Sequence, residues 1–86
     1  MKITIIGLGN IGLPLGLLIA SNNIKVQGYD TNYQRINEIR ELKKENFEND
    51  IYKLLKQKKV RNNMTISNKI EKSNIYMICV PTPIKY

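Results

Sequence analysis

The sequence begins with a short strand-like run that leads directly into three closely spaced glycines. Residues 2–6 read Lys-Ile-Thr-Ile-Ile, and Gly7, Gly9 and Gly12 follow in a G-x-G-x-x-G pattern. An apolar stretch at helical spacing comes next, and Asp30 stands 18 positions after the last glycine. The glycine pattern alone is a weak signal, but strand, glycines, helix and acid in this order are typical of a dinucleotide-binding βαβ unit.

Each glycine of this loop has a separate physical reason. Gly7 permits a sharp turn out of the strand, because a residue without Cβ tolerates positive φ. Gly9 removes the side chain that would hold a pyrophosphate away from the backbone, and Gly12 lets the helix approach the sheet. Unpaired N–H groups and the positive end of the helix dipole then favour phosphate near Asn10 and Ile11. We therefore predict cofactor contacts at Gly7, Gly9, Asn10, Ile11 and Gly12; the alternative is a glycine-rich turn that binds nothing.

Two residues after the second predicted strand are candidates for the adenosine side of the cofactor. Asp30 is placed to accept hydrogen bonds from ribose hydroxyls, and its charge would repel a 2′-phosphate, which favours NAD over NADP. The alternative is that Asp30 or Thr31 caps the following helix. Arg35 could reach back over the adenine or the ribose. Its alternatives are an exposed helix arginine or a partner for a 2′-phosphate.

Hydrophobic spacing predicts alternating strands and helices along the chain. Strands are predicted at 2–6, 25–29, 64–67 and 75–80, and helices at 11–22, at 31–44 and around Ile51–Leu55, with a helical turn at 67–73. Right-handed crossovers between these elements give a Rossmann-like α/β fold, in which a parallel sheet of spatial order 3-2-1-4 carries helices on both faces. The 86 residues suffice for one domain, spanning 1–86, which is only the N-terminal part of a complete dinucleotide fold.

The last predicted strand ends in a loop that this topology places beside the glycines. Residues 75–80 are apolar, which predicts a buried strand, and Pro81-Thr82-Pro83 closes it. Ligands of open α/β sheets bind in the crevice where the strand order reverses. Because two prolines stiffen the loop, we predict that Val80, Pro81 and Thr82 line the cofactor site. The alternative is a plain turn that ends the strand.

Composition excludes several other classes of site. The net charge is +7, with a basic run between Lys53 and Arg61, but no aromatic residue for base stacking lies within that run. This favours a solvated helix face over a nucleic-acid patch. The chain has no histidine, so histidine-assisted nucleophiles and histidine metal sites are excluded. The single cysteine, Cys79, suits a reducing compartment, and no apolar run approaches the ~18 residues of a membrane span. We expect a cytoplasmic protein without metal, nucleic-acid or membrane partners.

The first predicted helix is apolar nearly all round its circumference. Leu13 and Leu17 lie on faces other than the one that carries Leu15 and Ile19. A helix of this kind is usually buried on more than one side. We therefore expect a partner surface on the helix at residues 11–20.

Three segments together resemble the UDP-glucose/GDP-mannose dehydrogenase family at its N-terminal NAD-binding domain. Residues 5–15 are similar to the family's opening I-G-L-G-Y-I-G-L-P-L, and residues 78–83 are nearly identical to its I-C-V-P-T-P. Residues 48–55 are similar to its E-P-G-L-x-x-L-L segment, with two replacements. The family places a ribose-binding acid and a basic cofactor contact at the positions of Asp30 and Arg35. The resemblance implies NAD as the cofactor.

The resemblance also implies a reaction and a missing part. Family members oxidise the C6 alcohol of a nucleotide sugar to a carboxylate in two NAD-dependent steps, for polysaccharide precursors. The G-L-P-L variant is similar to members that act on UDP-N-acetylmannosamine or UDP-N-acetylglucosamine. The family's nucleophilic cysteine lies in a later G-G-x-C-x-P-K-D-like segment that these 86 residues lack, and Cys79 belongs to the I-C-V-P-T-P strand instead. We therefore predict no catalytic residue, and a cofactor-binding fragment of a UDP-sugar 6-dehydrogenase that is inactive by itself.

Two other functions remain as alternatives at this point. One is a free-standing nucleotide-binding module with a regulatory role. The other is a basic nucleic-acid-binding protein that only imitates the glycine pattern.

Overall fold

The computed structural model describes residues 1–80 as a parallel sheet with helices packed against it. The elements are β1 (Lys2–Ile6), α1 (Gly12–Ala20), β2 (Lys25–Tyr29), α2 (Tyr33–Glu41), a 3₁₀ helix (Lys44–Asn46), α3 (Asn49–Lys56), α4 (Lys58–Asn63), β3 (Met64–Ser67) and β4 (Ile75–Ile78). The four strands are ordered β3-β2-β1-β4, and all neighbouring pairs are parallel. The predicted Rossmann-like parallel sheet and its strand order are therefore confirmed, but within residues 1–80 the helices lie on one face of the sheet and not on both, because residues 68–74 between β3 and β4 form no helix. No helix in the described part of the chain is both long and apolar enough to cross a membrane.

One face of the sheet is buried under the helices. Ile3 and Ile5 of β1 point to this face, where they join Leu13 and Leu17 of α1 in a single apolar cluster. Ile39 of α2 belongs to the same cluster, so α1 and α2 lie on the same face. The parallel register continues this layer across β2, since residues paired side by side point to the same face.

The apolar circumference of α1 is largely explained within this chain. α3 and α4 also pack against α1, and their buried side chains Leu55 and Val60 join the same apolar cluster. Ile11 and Leu18 stay 73% and 56% exposed. The expected partner surface on this helix stays a prediction, and Ile11 and Leu18 are the most exposed apolar side chains that it would cover.

The other face of the sheet is covered in its centre by residues 68–74, which we call the crossing segment. It runs from the end of β3 to the start of β4 and passes over Thr4 and Gln27, which are 0% and 1% exposed. Gln27 Nε2 donates to the carbonyl of Lys69 at 2.6 Å, and Gln27 Oε1 accepts from the N–H of Glu71 at 2.9 Å. The predicted helical turn at 67–73 is therefore wrong. A backbone that is not helical leaves its N–H and C=O groups free to pair with buried polar side chains of the sheet.

The fourth strand is shorter and more exposed than predicted. β4 ends at Ile78 rather than Val80, and Tyr76 and Ile78 are 46% and 72% exposed. Both residues point to the face that carries no helix within residues 1–80, since they pair with Thr4 and Ile6 of β1. The apolar run at residues 75–80 thus predicts the strand correctly. Its predicted burial is wrong, because no helix within residues 1–80 covers Tyr76 and Ile78.

Helix boundaries differ from the predictions at three points. α2 begins after Asn32, whose side chain accepts from the N–H groups of Gln34 and Arg35, so neither Asp30 nor Thr31 is its cap. α2 ends at Glu41, and the residue that follows, Leu42, adopts a left-handed backbone with φ of +57°. An additional helix, α4, precedes β3. The basic residues of α3 and α4, including Lys53, Lys56, Lys58, Lys59 and Arg61, are all exposed.

Candidate dinucleotide site

The glycine loop lies at the carboxyl end of β1 and follows the expected geometry. Gly7 has φ of +103° and donates its N–H to the carbonyl of Tyr29 at 2.8 Å. A Cβ on Gly12 would lie 1.7 Å from the Gly7 carbonyl oxygen, so only glycine fits there. A Cβ on Gly9 would meet nothing within 4 Å. The loop thus leaves open space at Gly9, where a phosphate could approach the backbone.

The start of α1 presents its N–H groups to this open space. Gly9 and Ile11 accept the first helical hydrogen bonds, from Leu13 and Leu15, both at 3.2 Å. Pro14 lies in the first turn, where its missing N–H costs least. No described side chain caps this helix and its first turn holds no acid. The positive end of the helix dipole is therefore available to an anion.

Asp30 lies against the glycine loop rather than on the following helix. One carboxylate oxygen, Oδ2, accepts from the N–H of Leu8 at 2.8 Å, and Oδ1 accepts from the N–H of Asn32 at 2.8 Å. A carboxylate offers about four acceptor sites, so both oxygens keep capacity for ribose hydroxyls. The half-buried Asp30 sits at the end of β2, beside Gly9 in the adjacent loop.

Arg35 also points to the glycine loop. Its Nε donates to the carbonyl of Leu8 at 2.6 Å, and its guanidinium carbon lies 5.9 Å from the centre of the Phe47 ring. Glu38 on the next turn of α2 is 3.9 Å from Nη1. The side chain is only 21% exposed, so the alternative of a plain exposed helix arginine is wrong.

A cleft of about 430 Å³ opens beside the loop. A volume of this order falls within the range that small-molecule sites occupy. Its wall includes Arg35 and the start of α1 on one side, and the connection between α2 and α3 on the other. The residues that line it are Gly9, Asn10, Leu13, Pro14, Arg35, Asn46, Phe47, Glu48 and Ile51.

Sequence reasoning missed Asn46 and Phe47 in this wall. They lie in a segment that carries no glycine or charge pattern of its own. The single phenylalanine of the chain, set between two predicted helices and next to the family-like segment 48–55, was the available signal. Phe47 packs partly against the apolar cluster and offers its ring to Arg35.

The end of β4 closes the other side of the glycine loop. Cys79 donates its N–H to the carbonyl of Ile6 at 2.7 Å, which aligns the two strand ends. Val80 comes within 3.0 Å of the position a Gly7 Cβ would take, and half of its surface is exposed. The structure thus brings Val80 against Gly7, and the preceding Cys79 against Gly12. The predicted contacts Pro81 and Thr82 lie outside the described residues.

Cys79 packs against the core as a small apolar side chain. It is half-buried, and its Cβ lies 3.1 Å from the position a Cβ on Gly12 would take. Between residues 1 and 80 there is no group of three or more acidic or cysteine side chains that could hold a metal. The site offers backbone donors, one carboxylate and one guanidinium, which is a set suited to binding a dinucleotide.

Comparison with known proteins gives the same picture over the full length of the chain. The model of the UDP-glucose/GDP-mannose dehydrogenase family, NAD binding domain, matches residues 1–86. A UDP-N-acetyl-D-mannosamine dehydrogenase of Methanocaldococcus jannaschii is 40% identical over 82 residues, which are 95% of this chain and 19% of that protein. A UDP-N-acetyl-D-glucosamine 6-dehydrogenase of Salmonella typhi is 38% identical over 84 residues, with 98% and 19% covered.

Solved structures of related dehydrogenases share the fold. The UDP-N-acetyl-mannosamine dehydrogenase of Staphylococcus aureus superposes with a TM-score of 0.84 at 30% identity, covering 96% of this chain and 20% of that chain. A UDP-D-ManNAc dehydrogenase from Pyrococcus horikoshii gives 0.85 at 32% identity, covering 99% and 21%. The chain therefore spans about a fifth of the length of the relatives that it matches.

Proposed function

The chain belongs to the UDP-glucose/GDP-mannose dehydrogenase family through its NAD-binding domain, and we propose that it is the cofactor-binding part of a UDP-N-acetylhexosamine 6-dehydrogenase. The observation that carries the proposal is the match of the family model over residues 1–86. The open space at Gly9 and the carboxylate of Asp30, which accepts from the N–H of the preceding Leu8, support it. NAD is the cofactor of the matched domain.

Each part of the site has a proposed role toward NAD. The backbone at Gly9, Asn10 and Ile11 binds the pyrophosphate, because it combines free approach with the positive end of α1. Asp30 accepts the hydroxyls of the adenosine ribose and disfavours a 2′-phosphate. Gly7 and Gly12 allow the loop to close tightly.

The remaining predicted contacts extend the site in two directions. Arg35 supplies positive charge on the cleft side, where its guanidinium lines the wall. Val80 follows β4 and lies against Gly7, and we propose that it contacts the cofactor together with Pro81 and Thr82, which lie outside the described residues. NAD, when bound, supplies the hydride acceptor for oxidation of an alcohol.

The proposed substrate class rests on the named relatives. Both relatives compared above act, by their names, on UDP-sugars with an N-acetylhexosamine. We therefore propose the C6 alcohol of UDP-N-acetylmannosamine or UDP-N-acetylglucosamine as the group oxidised by the whole enzyme. We place the reaction in the cytosol, because the single half-buried thiol suits a reducing compartment.

We propose that the 86 residues bind NAD without turning over a sugar. They contain no G-G-x-C-x-P-K-D-like segment. Mixing the chain with NAD⁺ and UDP-N-acetylmannosamine should give no NADH absorbance, and sustained NADH formation would refute this part. Translation of the gene beyond the Tyr86 codon should show such a segment, and its absence in every frame would refute the UDP-sugar assignment.

The cofactor assignment is tested by the change Asp30→Ala. We expect NAD⁺ affinity, measured by isothermal titration of the 86-residue chain, to fall by about 1–3 kcal/mol, the scale of lost hydrogen bonds to a charged group. NADP⁺ should bind the unchanged chain more weakly than NAD⁺.

The matched control is Glu71→Ala. It removes a carboxylate that lies beside Lys2 at the amino end of β1, whereas Asp30 lies by the loop at the carboxyl end. It should leave NAD⁺ affinity unchanged. Equal affinities for NAD⁺ in the Asp30 variant and the unchanged chain would remove Asp30 from the site.

A further inference from the structure

The peptide of Leu8, in the middle of the glycine loop, is held from both sides by charged side chains. Its N–H donates to Asp30 Oδ2 at 2.8 Å, and its carbonyl accepts from Arg35 Nε at 2.6 Å. The two side chains come from the end of β2 and the first turns of α2. We call this arrangement the Leu8 clamp.

The loop needs such support because of its composition. Leu8 stands between Gly7 and Gly9, and glycines have more backbone freedom to lose than any other residue. The Leu8 side chain is fully buried, and its Cδ2 would lie 2.9 Å from a Cβ on Gly28. The burial of the Leu8 side chain and the two hydrogen bonds to its backbone together leave Leu8 little conformational freedom.

Both members of the clamp are themselves fixed by other contacts. The second carboxylate oxygen of Asp30 accepts the N–H of Asn32, just before α2. The guanidinium of Arg35 lies over Phe47 and near Glu38. The clamp therefore ties the glycine loop to α2 and to the connection that walls the cleft.

We propose that Asp30 and Arg35 are positioning residues, which set the backbone of the glycine loop before the cofactor arrives. This role is additional to any contact of theirs with NAD, and its purpose rests on the proposed function. Pre-formed geometry lowers the ordering cost that binding would otherwise carry. Loss of the clamp should free the loop while leaving the sheet intact.

Two substitutions of Arg35 separate the clamp from the charge. Arg35→Gln places an amide nitrogen at the same distance along the side chain as Nε, so the donor to Leu8 is kept and the charge is lost. Arg35→Met has similar length but no donor. Arg40→Met is the matched control, because Arg40 lies on the same helix and donates to the carbonyl of Ile66 at 2.8 Å.

The measurement is amide hydrogen exchange by NMR on the 86-residue chain without added cofactor. The reporters are the N–H groups of Leu8 and Leu13, which donate to Asp30 and to the Gly9 carbonyl. We expect Arg35→Met to speed their exchange about tenfold, the scale of one hydrogen bond to a charged group. Arg35→Gln should change it by less than about threefold, and Arg40→Met should leave it unchanged.

Three results would overturn the proposal. Unchanged exchange in Arg35→Met would show that Arg35 does not position the loop. Equal acceleration in Arg35→Met and Arg35→Gln would assign the effect to charge alone. Acceleration spread evenly over β1 and β2 would make Arg35 a general stabiliser of the fold. None of these readouts depends on NAD binding, so failure here is distinguishable from failure of the proposed function.

Discussion

The two faces of the sheet are buried by different kinds of contact, although they share the same strands. Thr4 and Ile5 are neighbours on β1, and both are fully buried. Ile5 belongs to the apolar cluster beneath α1. Thr4 faces the crossing segment. Its hydroxyl lies 3.3 Å from Gln27 Oε1 on the neighbouring strand β2 and 2.5 Å from the hydroxyl of Ser73 in the crossing segment.

This difference shows that burial alone does not tell what a residue contributes. On the helix face a side chain contributes by excluding water and filling space, which grows with its apolar area. On the crossing-segment face it contributes by pairing groups that would be costly to leave unpaired. No buried side-chain nitrogen or oxygen within residues 1–80 lacks a partner. Substitutions on the two faces should therefore differ in both size and cause.

The largest effect is expected on the helix face, from Ile5→Ala. Removing this buried side chain leaves a cavity under α1, and the free energy of unfolding should fall by about 2–5 kcal/mol, measured by urea denaturation. Ile78→Ala is the matched control on the neighbouring strand, where the side chain is 72% exposed, and it should cost under about 1 kcal/mol. Similar losses in both variants would mean that burial under α1 is not what makes Ile5 stabilising. If Ile5→Ala does not fold, Ile5→Val should still cost about 0.5–1.5 kcal/mol.

A smaller loss is expected on the other face, from Gln27→Leu. The substitution keeps an apolar stem but leaves the Lys69 carbonyl and the Glu71 N–H without their partner. The unfolding free energy should fall by about 1–3 kcal/mol, and proteolysis should cut first within residues 68–74. Gln34→Leu, on the exposed side of α2, is the control. A stable Gln27→Leu protein with an intact crossing segment would show that packing, and not polar pairing, holds this face.

The smallest effect is expected from Glu71→Gln. Glu71 forms an ion pair with Lys2, but both side chains are partly exposed, and such pairs contribute little in water. The N–H of Glu71 that bonds to Gln27 is unaffected. Urea denaturation at low salt should show a change within about 0.5 kcal/mol, and added salt should reduce it further. A loss as large as that of Gln27→Leu would make charge a main support of this face.

Much of the fold could be predicted from local pattern. The apolar runs located all four strands, and right-handed crossovers gave the order β3-β2-β1-β4. Gly7 and Gly12 could be assigned because positive φ and close backbone approach are properties of single positions. The helical turn at 67–73 could not be excluded from local sequence, because what prevents it lies on other strands, at Thr4 and Gln27.

The candidate site was predicted in its residues but not in its contacts. Asp30 and Arg35 were selected by spacing and resemblance, and both lie at the glycine loop. Their hydrogen bonds to the N–H and the carbonyl of Leu8 could not be predicted from the spacing of these residues. Phe47 entered the cleft wall because the connection after α2 folds back toward α1. Asn32 caps α2, while the carboxylate of Asp30 accepts from the N–H groups of Leu8 and Asn32.

The sequence by itself determined the glycine loop, the strands and their order, and the family, because these follow from missing Cβ atoms, apolar periodicity and short motifs. The tertiary structure alone decided how the loop is held and how the second face is covered. These features rest on hydrogen bonds whose two partners are separated in the sequence by 22, 27 and 42 positions. Such pairs are set by the packing of whole elements, which brings together side chains that no local pattern relates.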